Sequence, residues 1–366
     1  MNRKYSGGKR VLVINTVGLI YDGITNVITS YLEAMNLEGL DIYIVGTIKV
    51  EPKVRVQLQN IGCHVIDFPS RRNETVKYFL ELVKFIRKNK IEVVHAHGNS
   101  ATLAIEMCAA WLGGCKKRIA HSHNTRCEQV KADKILRPIF YLFCTDALAC
   151  GEAAGKWLYG NRKFKILPNG RNIEKFAYDS AIRKNMRERH KLSEQIAIGH
   201  VGGFVEQKNQ KFLLQIFREI LKLENDAKLY LIGDGDKKKE IEELAADIKN
   251  QVVFVGNTDR VSDYLQMMDG MILPSLFEGL PLVAIEWQIN GLPCIFSDTI
   301  TKECALTKTV ESESLSTNPA VWANRILKMI KENDREKNSL IARDLVRKAG
   351  FDIQKNAESL RNMYLN

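Results

Sequence analysis

The 366-residue sequence has little proline, no low-complexity tract and no apolar run long enough to cross a membrane. Eight prolines in a chain that is 45% hydrophobic and 27% charged exclude an intrinsically disordered protein. The nearest approach to a spanning segment, residues 139–150 (IFYLFCTDALAC), is too short and contains Asp146. Length and composition therefore predict a globular protein of about two domains.

Paired cysteines are also missing, since none of the eight cysteines forms a Cys-x-x-Cys motif. Scattered thiols are typical of a reducing compartment, so we expect a cytoplasmic protein. The N-terminus imitates a signal peptide, with basic residues before the apolar run Val11–Ile20. Asn15 and Thr16 interrupt that run and no small-residue cleavage site follows, which favours a first β-strand instead.

The net charge of +11 is unevenly distributed. Residues 1–170 contain 25 lysines and arginines against 14 acidic residues, whereas residues 171–366 contain 29 of each. The first half is therefore expected to face nucleic acid, a phospholipid surface or a phosphorylated substrate. A nucleic-acid partner is disfavoured because no recognisable reading motif accompanies the basic residues. Residues 71–90 predict a basic surface helix or, alternatively, a helix that docks on an anionic membrane.

Apolar β-branched runs alternate with helix-period segments in two successive series. The first series of strands is predicted at 11–15, 41–46, 64–68, 92–97, 118–123, 147–150 and 164–168. The second is predicted at 196–202, 228–233, 252–256, 270–274 and 293–297. Such alternation predicts two α/β domains, each a doubly wound parallel sheet covered on both faces. We place the domains at 1–170 and 171–349, with a polar connector near 170–195 and a final helix at about 350–366 that returns to the first domain. Ligands of open α/β sheets bind at the carboxyl ends of the strands.

Four of the seven histidines follow two strands of the first series as His-x-His pairs: His95 with His97, and His121 with His123. Two such pairs could bind a metal in a metal-dependent hydrolase, although no acidic residue completes a ligand set at an obvious spacing. The favoured alternative buries one histidine of each pair and leaves the other to donate a hydrogen bond to an oxyanion or a sugar hydroxyl.

Two glycine-containing loops resemble anion sites. Residues 15–35 read as a strand, a loop with Gly18 and Gly23, and a helix, which fits either a structural turn or a phosphate site. In residues 196–217 Lys208 precedes Asn209, a candidate N-cap, and is either a solvated lysine or an anion ligand. The DxD pair in residues 230–244 is better explained by a turn with capping aspartates than by a metal site.

Residues 277–298 (FEGLPLVAIEWQINGLPCIFSD) place two glutamates in an otherwise apolar segment. We expect Glu278 in a loop at a strand's carboxyl end, and Glu286 inside a helix that begins near Pro281 and ends at Gly291. Three amides at the start of that helix are candidates for binding phosphate: those of Gly279, Leu280 and Leu282. A carboxylate also accepts two hydroxyl hydrogen bonds at once, as a ribose diol offers. The expected polar partner is a sugar nucleotide.

The segment EGLPLVAIE resembles the Glu-x7-Glu motif of the retaining GT-B glycosyltransferases of glycosyltransferase family four, especially bacterial capsule and exopolysaccharide enzymes. The resemblance extends to GHVGGFVEQKN, PSLFEGLP, GLPCIFSDTITKE, HSHN, ACGEAAGKWLYG and ILPNGRNIEKF, and covers nearly the whole chain. It implies two Rossmann-like domains facing a central cleft, with the nucleotide sugar held by the C-terminal domain and the acceptor by the N-terminal one.

The resemblance also implies roles for individual residues. Glu286 would hold the ribose, Glu278 the hydroxyls of the donor sugar, and Lys208 the leaving diphosphate. His121 would lie near the donor sugar, and the Gly23 loop near the phosphates or the acceptor. Stabilisation of the leaving phosphate would be the main catalytic effect, and no divalent metal or other cofactor is implied.

The chain departs from the family at Gly203, where an arginine commonly joins the lysine on the diphosphate. Gly203 still belongs to the predicted donor-binding loop, and Arg126 or Arg171 is expected to replace the missing cation. The sequence thus predicts transfer of a sugar, with retention, from a donor that is expected to be UDP-linked to a saccharide or lipid-diphosphate-linked acceptor at the inner face of a membrane. The rival hypotheses are a metal-dependent hydrolase and a catalytically silent sugar-nucleotide-binding subunit.

Overall fold

Alternating buried strands and amphipathic helices form two parallel sheets, each in its own compact unit. The computed structural model describes residues 7–20 and 22–366, so Arg3 and Lys4 of the signal-like N-terminus lie outside the described range. The first unit comprises the described residues up to Gly170 together with Ile353–Asn366, and the second comprises Arg171–Asp352.

The described part of the first unit contains a seven-stranded sheet in the order β3-β2-β1-β4-β5-β6-β7, and every pair in it is parallel. The strands are β1 (Lys9–Asn15), β2 (Leu40–Gly46), β3 (His64–Asp67), β4 (Val93–Gly98), β5 (Lys117–Ser122), β6 (Asp146–Ala149) and β7 (Lys165–Ile166). The helices are α1 (Gly23–Ala34), α2 (Pro52–Ile61), α3 (Thr75–Lys88), α4 (Ala104–Leu112), α5 (Val130–Phe143), α6 (Glu152–Tyr159) and α15 (Ile353–Leu365).

Two layers of helices cover this sheet. The inward faces of α3, α4, α5 and α6 share one buried cluster with the side chains of Leu12 and Val94. Helix α15 contacts α1 and β1, and Lys9 Nζ donates to Leu365 O at 2.8 Å. Since alternate residues of a strand point to opposite faces, β1 supplies apolar side chains to both layers.

The second unit contains a six-stranded parallel sheet in the order β10-β9-β8-β11-β12-β13. Its strands are β8 (Ala197–Val201), β9 (Lys228–Ile232), β10 (Val252–Gly256), β11 (Gly270–Leu273), β12 (Cys294–Ser297) and β13 (Val310–Glu313). Its helices are α7 (Ile173–Phe176), α8 (Ser180–Arg189), α9 (Gln210–Leu223), α10 (Lys238–Leu244), α11 (Val261–Met267), α12 (Leu282–Ile289), α13 (Pro319–Lys331) and α14 (Arg335–Lys348). The predicted pair of doubly wound parallel sheets is confirmed, and within residues 7–20 and 22–366 no helix combines the length and hydropathy needed to span a bilayer.

The prediction of a polar connector at 170–195 was wrong, because that segment folds as α7 and α8 of the second unit. The Asp179 side chain accepts hydrogen bonds from the amides of Ala181 and Ile182 at 2.8 and 2.9 Å, and so caps α8. Arg183 and Arg187 then both pair with Asp269, at 2.6 and 3.1 Å. The polar composition therefore reflects ion pairs within the unit.

The last two helices, α14 and α15, are separated by a short turn. Helix α14 ends before Gly350, which has a left-handed φ of +85°, and α15 starts at Ile353. The strand β13 was missed by the sequence analysis, because its four residues, VESE, lack an apolar run. It lies at the edge of the sheet and pairs with β12 alone, so it needs little apolar surface.

Candidate active site

The loops that follow the neighbouring strands β8 and β11 bring Lys208 and Glu278 together. Lys208 Nζ donates to Glu278 Oε1 at 2.6 Å, across a sequence separation of 70 residues. Gln207 Nε2 donates to the second carboxylate oxygen at 3.1 Å, and the Leu276 amide donates to Gln207 O at 2.8 Å. The side chains of the ion pair are only 16% and 9% exposed, so this pair is much less hydrated than a surface salt bridge.

Lys208 ends a single 3-10 turn, and its stem passes over the backbone of Gly202. A Cβ atom on Gly202 would lie 3.1 Å from the Cε atom of Lys208, so glycine leaves the space that the lysine occupies. Asn209 follows with a left-handed φ of 52° and caps no helix with its side chain, contrary to our expectation. Its Nδ2 instead donates to Pro274 O at 3.1 Å, which joins the two loops.

Gly203 has no comparable steric constraint. A Cβ atom there would have Asp234 O at 3.6 Å as its nearest neighbour, which is an ordinary contact, and its φ is outside the left-handed region. The fold therefore has room for a side chain at this position. The absence of the arginine expected from the resemblance is not imposed by the backbone.

Glu286 lies on α12, is only 8% exposed, and forms an ion pair with Arg171 at 2.7 Å. Burial raises the pKa of the Glu286 carboxyl above its ordinary value, against the opposing effects of Arg171 and Lys175. The Arg171 amide donates to Phe351 O at 2.7 Å, which joins the start of the second unit to the segment that follows α14. Arg171, one of the two candidates to replace an arginine at 203, is thus engaged with Glu286.

The start of α12 presents the three predicted amides. Pro281 occupies the N-cap position of α12, and Gly291 follows the helix in a left-handed conformation with a φ of +72°. In the part of the chain that the structure describes, no acceptor binds the amides of Gly279, Leu280 or Leu282. They remain available to an anion, which the helix dipole also favours.

The DxD pair lies in an exposed turn between β9 and α10. Asp234 Oδ1 accepts from the Gly235 amide at 2.9 Å, and Lys237 rather than either aspartate precedes α10. The predicted turn is present, but the aspartates do not cap the helix.

In the first unit, four histidine rings lie against one another near the carboxyl ends of β4 and β5, some stacked and some tilted, with centroid separations of 4.1 to 5.4 Å. His95 and His97 are both buried, so the expectation that only one histidine of each pair is buried, with the other left to bind a ligand, was wrong for this pair. Residues two apart share one face of a strand, and the facing helices cover that face. His95 Nδ1 lies 2.6 Å from the Tyr364 hydroxyl, and His97 Nδ1 lies 2.8 Å from His123 Nε2.

His121, the predicted catalytic histidine, is 1% exposed, and neither ring nitrogen has a hydrogen-bond partner among the described residues. Its ring borders a cavity of about 10 Å³, which it shares with His97, Tyr31 and Tyr364. A cavity of that size holds roughly one water molecule, which could bond to the ring. Burial lowers the pKa of His121 well below its usual range, so the ring is neutral at neutral pH.

The same rings are also the candidate metal ligands of the rival hypothesis. The ligand atoms of His95, His97 and His121 lie within 4.8 Å of one another. That spacing leaves the triad a candidate metal site on distance alone. Two of its nitrogens already bond to Tyr364 and His123. A metal in this triad would have to bind through the other ring nitrogens or displace these contacts.

Gly23 is the first residue of α1, and a Cβ atom there would meet nothing within 4 Å. The preceding Asp22 accepts from the Thr25 amide at 2.7 Å, so a carboxylate already caps this helix. Gly18 has a φ of +94° and lies against Lys49 O, which explains the glycine at that position as a structural requirement.

Comparison of the sequence with known proteins identifies the family of this chain. A sequence profile described as "Glycosyl transferases group 1" matches residues 195–332. EpsF of Bacillus subtilis, named as a glycosyltransferase, is 32% identical over 91% of this chain and 94% of its own. This chain belongs to the group 1 glycosyltransferases.

One more relative of the glycosyltransferase and one solved structure extend the comparison. A UDP-Gal:alpha-D-GlcNAc-diphosphoundecaprenol alpha-1,3-galactosyltransferase of Escherichia coli is 27% identical over 80% of this chain and 79% of its own. Anabaena HepE, solved in complex with UDP, superposes with a TM-score of 0.77 at 14% identity over 97% of this chain and 99% of its own. At that identity the superposition shows the GT-B fold, which the sequence predicted.

Sequence reasoning named Glu278, Glu286 and Lys208 but missed Gln207, which holds the Glu278 carboxylate, and assigned Arg171 to a different anion. Gln207 precedes the lysine within the strand–loop–helix pattern, and that adjacency was the only local signal for it. Nothing in the sequence signals the Arg171–Glu286 pair, because it is formed through space.

Proposed function

We propose that this glycosyltransferase moves a sugar, with retention of configuration, from a UDP-sugar to a saccharide carried on a lipid diphosphate. The reaction would serve synthesis of a surface polysaccharide at the cytoplasmic face of a membrane, with peripheral attachment and no divalent metal. The names of the relatives support the donor, acceptor and pathway class, and the unbound amides of α12 support a diphosphate as ligand.

The observation that carries the proposal is the pairing of Lys208 with Glu278 beside those amides. A diphosphate that enters the site competes with Glu278 for the lysine, because both are anions. The freed carboxylate then accepts hydrogen bonds from the donor sugar, while Lys208 and the helix N-terminus neutralise charge on the leaving group. Stabilisation of a developing charge by such preorganised groups is worth about 3–4 kcal/mol per donor in other enzymes.

The ribose assignment is tested by calorimetric titration of UDP, GDP, ADP and CMP in the presence of EDTA. We expect UDP to bind and Glu286→Gln to weaken it, since the variant loses the charged acceptor for the ribose diol. Glu303→Gln is the matched control, because it makes the same change at an exposed position of the second unit. Equal binding by wild type and Glu286→Gln would refute the ribose assignment, and loss of binding in EDTA would refute the metal-independent mechanism.

The exchange of partners at Lys208 makes a sharper prediction. Glu278→Gln removes the internal competitor for the lysine, so UDP without a sugar should bind about as tightly as before or tighter. Turnover of the UDP-sugar should fall, because the carboxylate acceptor for the sugar hydroxyls is gone. Lys208→Met should weaken both. Parallel losses of UDP affinity and turnover in Glu278→Gln would contradict the exchange, and NMR of the product's anomeric configuration tests retention.

A further inference from the structure

We propose that the outer face of α5 and the end of α4 bind an anionic membrane surface. The proposal deepens the proposed function by assigning the membrane contact to particular side chains. Ile135, Ile139 and Leu142 are 73%, 41% and 72% exposed, and Trp111 is 51% exposed. We call these four side chains the α5 patch.

The α5 patch follows from the helical period. Residues 135, 139 and 142 are spaced by four and three, so they lie on one face of α5. The opposite face carries the buried residues Asp133 and Phe140 and packs in the core of the unit. Helix α5 is therefore apolar on two sides, and one of those sides faces solvent. Exposed apolar surface of this kind marks an interaction site.

Trp111 lies on α4 and extends the patch from α5 to the end of α4. Its ring contacts that of Phe143, with centroids 4.9 Å apart, so the end of α4 adjoins the end of α5. Leu112 beside it is 41% exposed. Tryptophan is favoured at the boundary between lipid and water because its ring is apolar and its indole N–H is polar.

The cationic side chains around the α5 patch favour an anionic partner. Lys131 and Lys134 are exposed on α5, and Lys116 is exposed just beyond α4. Within Val130–Phe143 the acidic residue is Asp133, which is buried and binds Arg137 at 2.8 Å and the Ala101 amide at 2.7 Å. The solvent face of α5 thus combines apolar and cationic side chains without a carboxylate, as in helices that lie on anionic membranes.

The composition of the patch disfavours a second copy of this chain as the occupant. A twofold contact places the same surface on both sides, so the lysines around the patch would face one another. An anionic lipid surface neutralises them instead. The excess of cations in residues 1–170 acts in the same direction.

The membrane contact that the sequence predicts as an alternative for residues 71–90 is thereby assigned to a different helix of the same unit. Helix α3 also exposes Val76 and Leu80, but its cations alternate with acids: Lys77 pairs with Glu74 at 3.0 Å. Helices α3, α4 and α5 share one buried cluster and so lie on the same side of the sheet. The lysines of α3 add to the field around the α5 patch.

The test uses the full chain with vesicles of phosphatidylcholine alone or with about 30% phosphatidylglycerol, separated by flotation at low and high salt. We expect binding to the anionic vesicles, weakened by salt. Ile135→Ser with Leu142→Ser should reduce partitioning about tenfold or more, from the loss of buried apolar area. The matched control is Leu340→Ser with Ile341→Ser, which removes side chains that are 58% and 47% exposed on α14 of the second unit.

A charge variant and a spectroscopic signal complete the design. Lys131→Glu with Lys134→Glu should reduce partitioning more than tenfold, since each lysine near such a surface contributes about fivefold. Trp111 fluorescence should shift to the blue on binding, because Trp287 and Trp322 are already fully buried and the half-buried Trp157 lies on α6, outside the patch. The Trp111→Phe variant should lose that shift.

Equal binding to neutral and anionic vesicles, or equal losses in the α5 and α14 variants, would overturn the proposal. So would an oligomer in light scattering that Ile135→Ser with Leu142→Ser converts to monomers, because the patch would then be a self-contact. UDP titration of the same variants separates the two proposals. If the α5 variants bind UDP as the wild type does but no longer bind vesicles, the membrane surface is supported. If the wild type itself does not bind UDP, the donor-site proposal fails independently of the membrane result.

Discussion

Mild acid should destabilise the first unit, because it contains histidine rings that are neutral when folded. Burial lowers the pKa of His95 and of His123 to about 3, and lowers the pKa values of His97 and His121 as well. In the unfolded chain each ring has a pKa of about 6.5 and takes up a proton below it. Stability is therefore undiminished above about pH 6.5 and is lost as the pH falls below that value.

The magnitude follows from the two pKa values of each ring. Between pH 8 and pH 5, a histidine with a pKa of about 3 when folded and about 6.5 when unfolded costs about 2 kcal/mol of unfolding free energy. His95 and His123 together cost about 4 kcal/mol, a large part of the 5–15 kcal/mol that stabilises a typical domain. A change of this size lowers Tm by about 8–16 °C in a unit of this length. The second unit contains His200, whose pKa is lowered to about 4 by burial, and should lose about 2 kcal/mol.

The assay is chemical and thermal unfolding of the full chain at pH 8, 7, 6 and 5, with His95→Gln as the test variant. The variant should reduce the difference in stability between pH 8 and pH 5 by about 2 kcal/mol, whatever its effect at pH 8. His64→Gln is the control, because His64 is exposed at the sheet edge. A midpoint that stays constant from pH 8 to pH 5 would refute the reasoning, since it would mean that the folded rings take up protons as freely as the unfolded chain.

Two further predictions concern the second unit. Arg171→Met should lower the unfolding free energy by about 3 kcal/mol, because it leaves Glu286 buried without its cation. In denaturant unfolding, the double variant of Arg171→Met with Glu286→Gln should recover part of this loss. Fully additive losses from the two single substitutions would contradict the pairing. Gly202→Ala should lower UDP affinity several-fold by displacing Lys208. Gly203→Ala should leave UDP affinity unchanged, because a Cβ there meets nothing closer than 3.6 Å. Equal UDP affinities of the two variants in calorimetry would argue against the packing of Lys208 over Gly202.

The fold was predictable because its signals are local. Val11–Asn15 and Cys294–Ser297 are short apolar runs that form buried strands, and the segments between such runs have the helical period. The exceptions were segments that are stabilised by contacts with distant parts of the chain. The four residues of β13 pair along one edge only, and α8 is fixed by arginines that bind Asp269 from another part of the chain.

The candidate site was predictable to the extent that its residues follow strands. Lys208 and Glu278 were assigned to the carboxyl ends of β8 and β11, and those neighbouring strands bring them within 2.6 Å. The partner of Glu286 was not predictable in this way, because Arg171 begins the segment that was interpreted as a connector. The use of each carboxylate as a hydrogen-bond acceptor stays a prediction for the proposed experiments.

By itself the sequence determined the two parallel sheets, the strand ends that carry polar residues, and the apolar helix on which Glu286 lies. These depend on periodicity and turn chemistry, which act over a few residues. Only the tertiary structure decided that Lys208 binds Glu278, that Arg171 binds Glu286, that four histidine rings lie against one another, and that an apolar face of α5 is left uncovered. Each of these depends on which distant segments meet across the sheet, and no local pattern encodes that meeting.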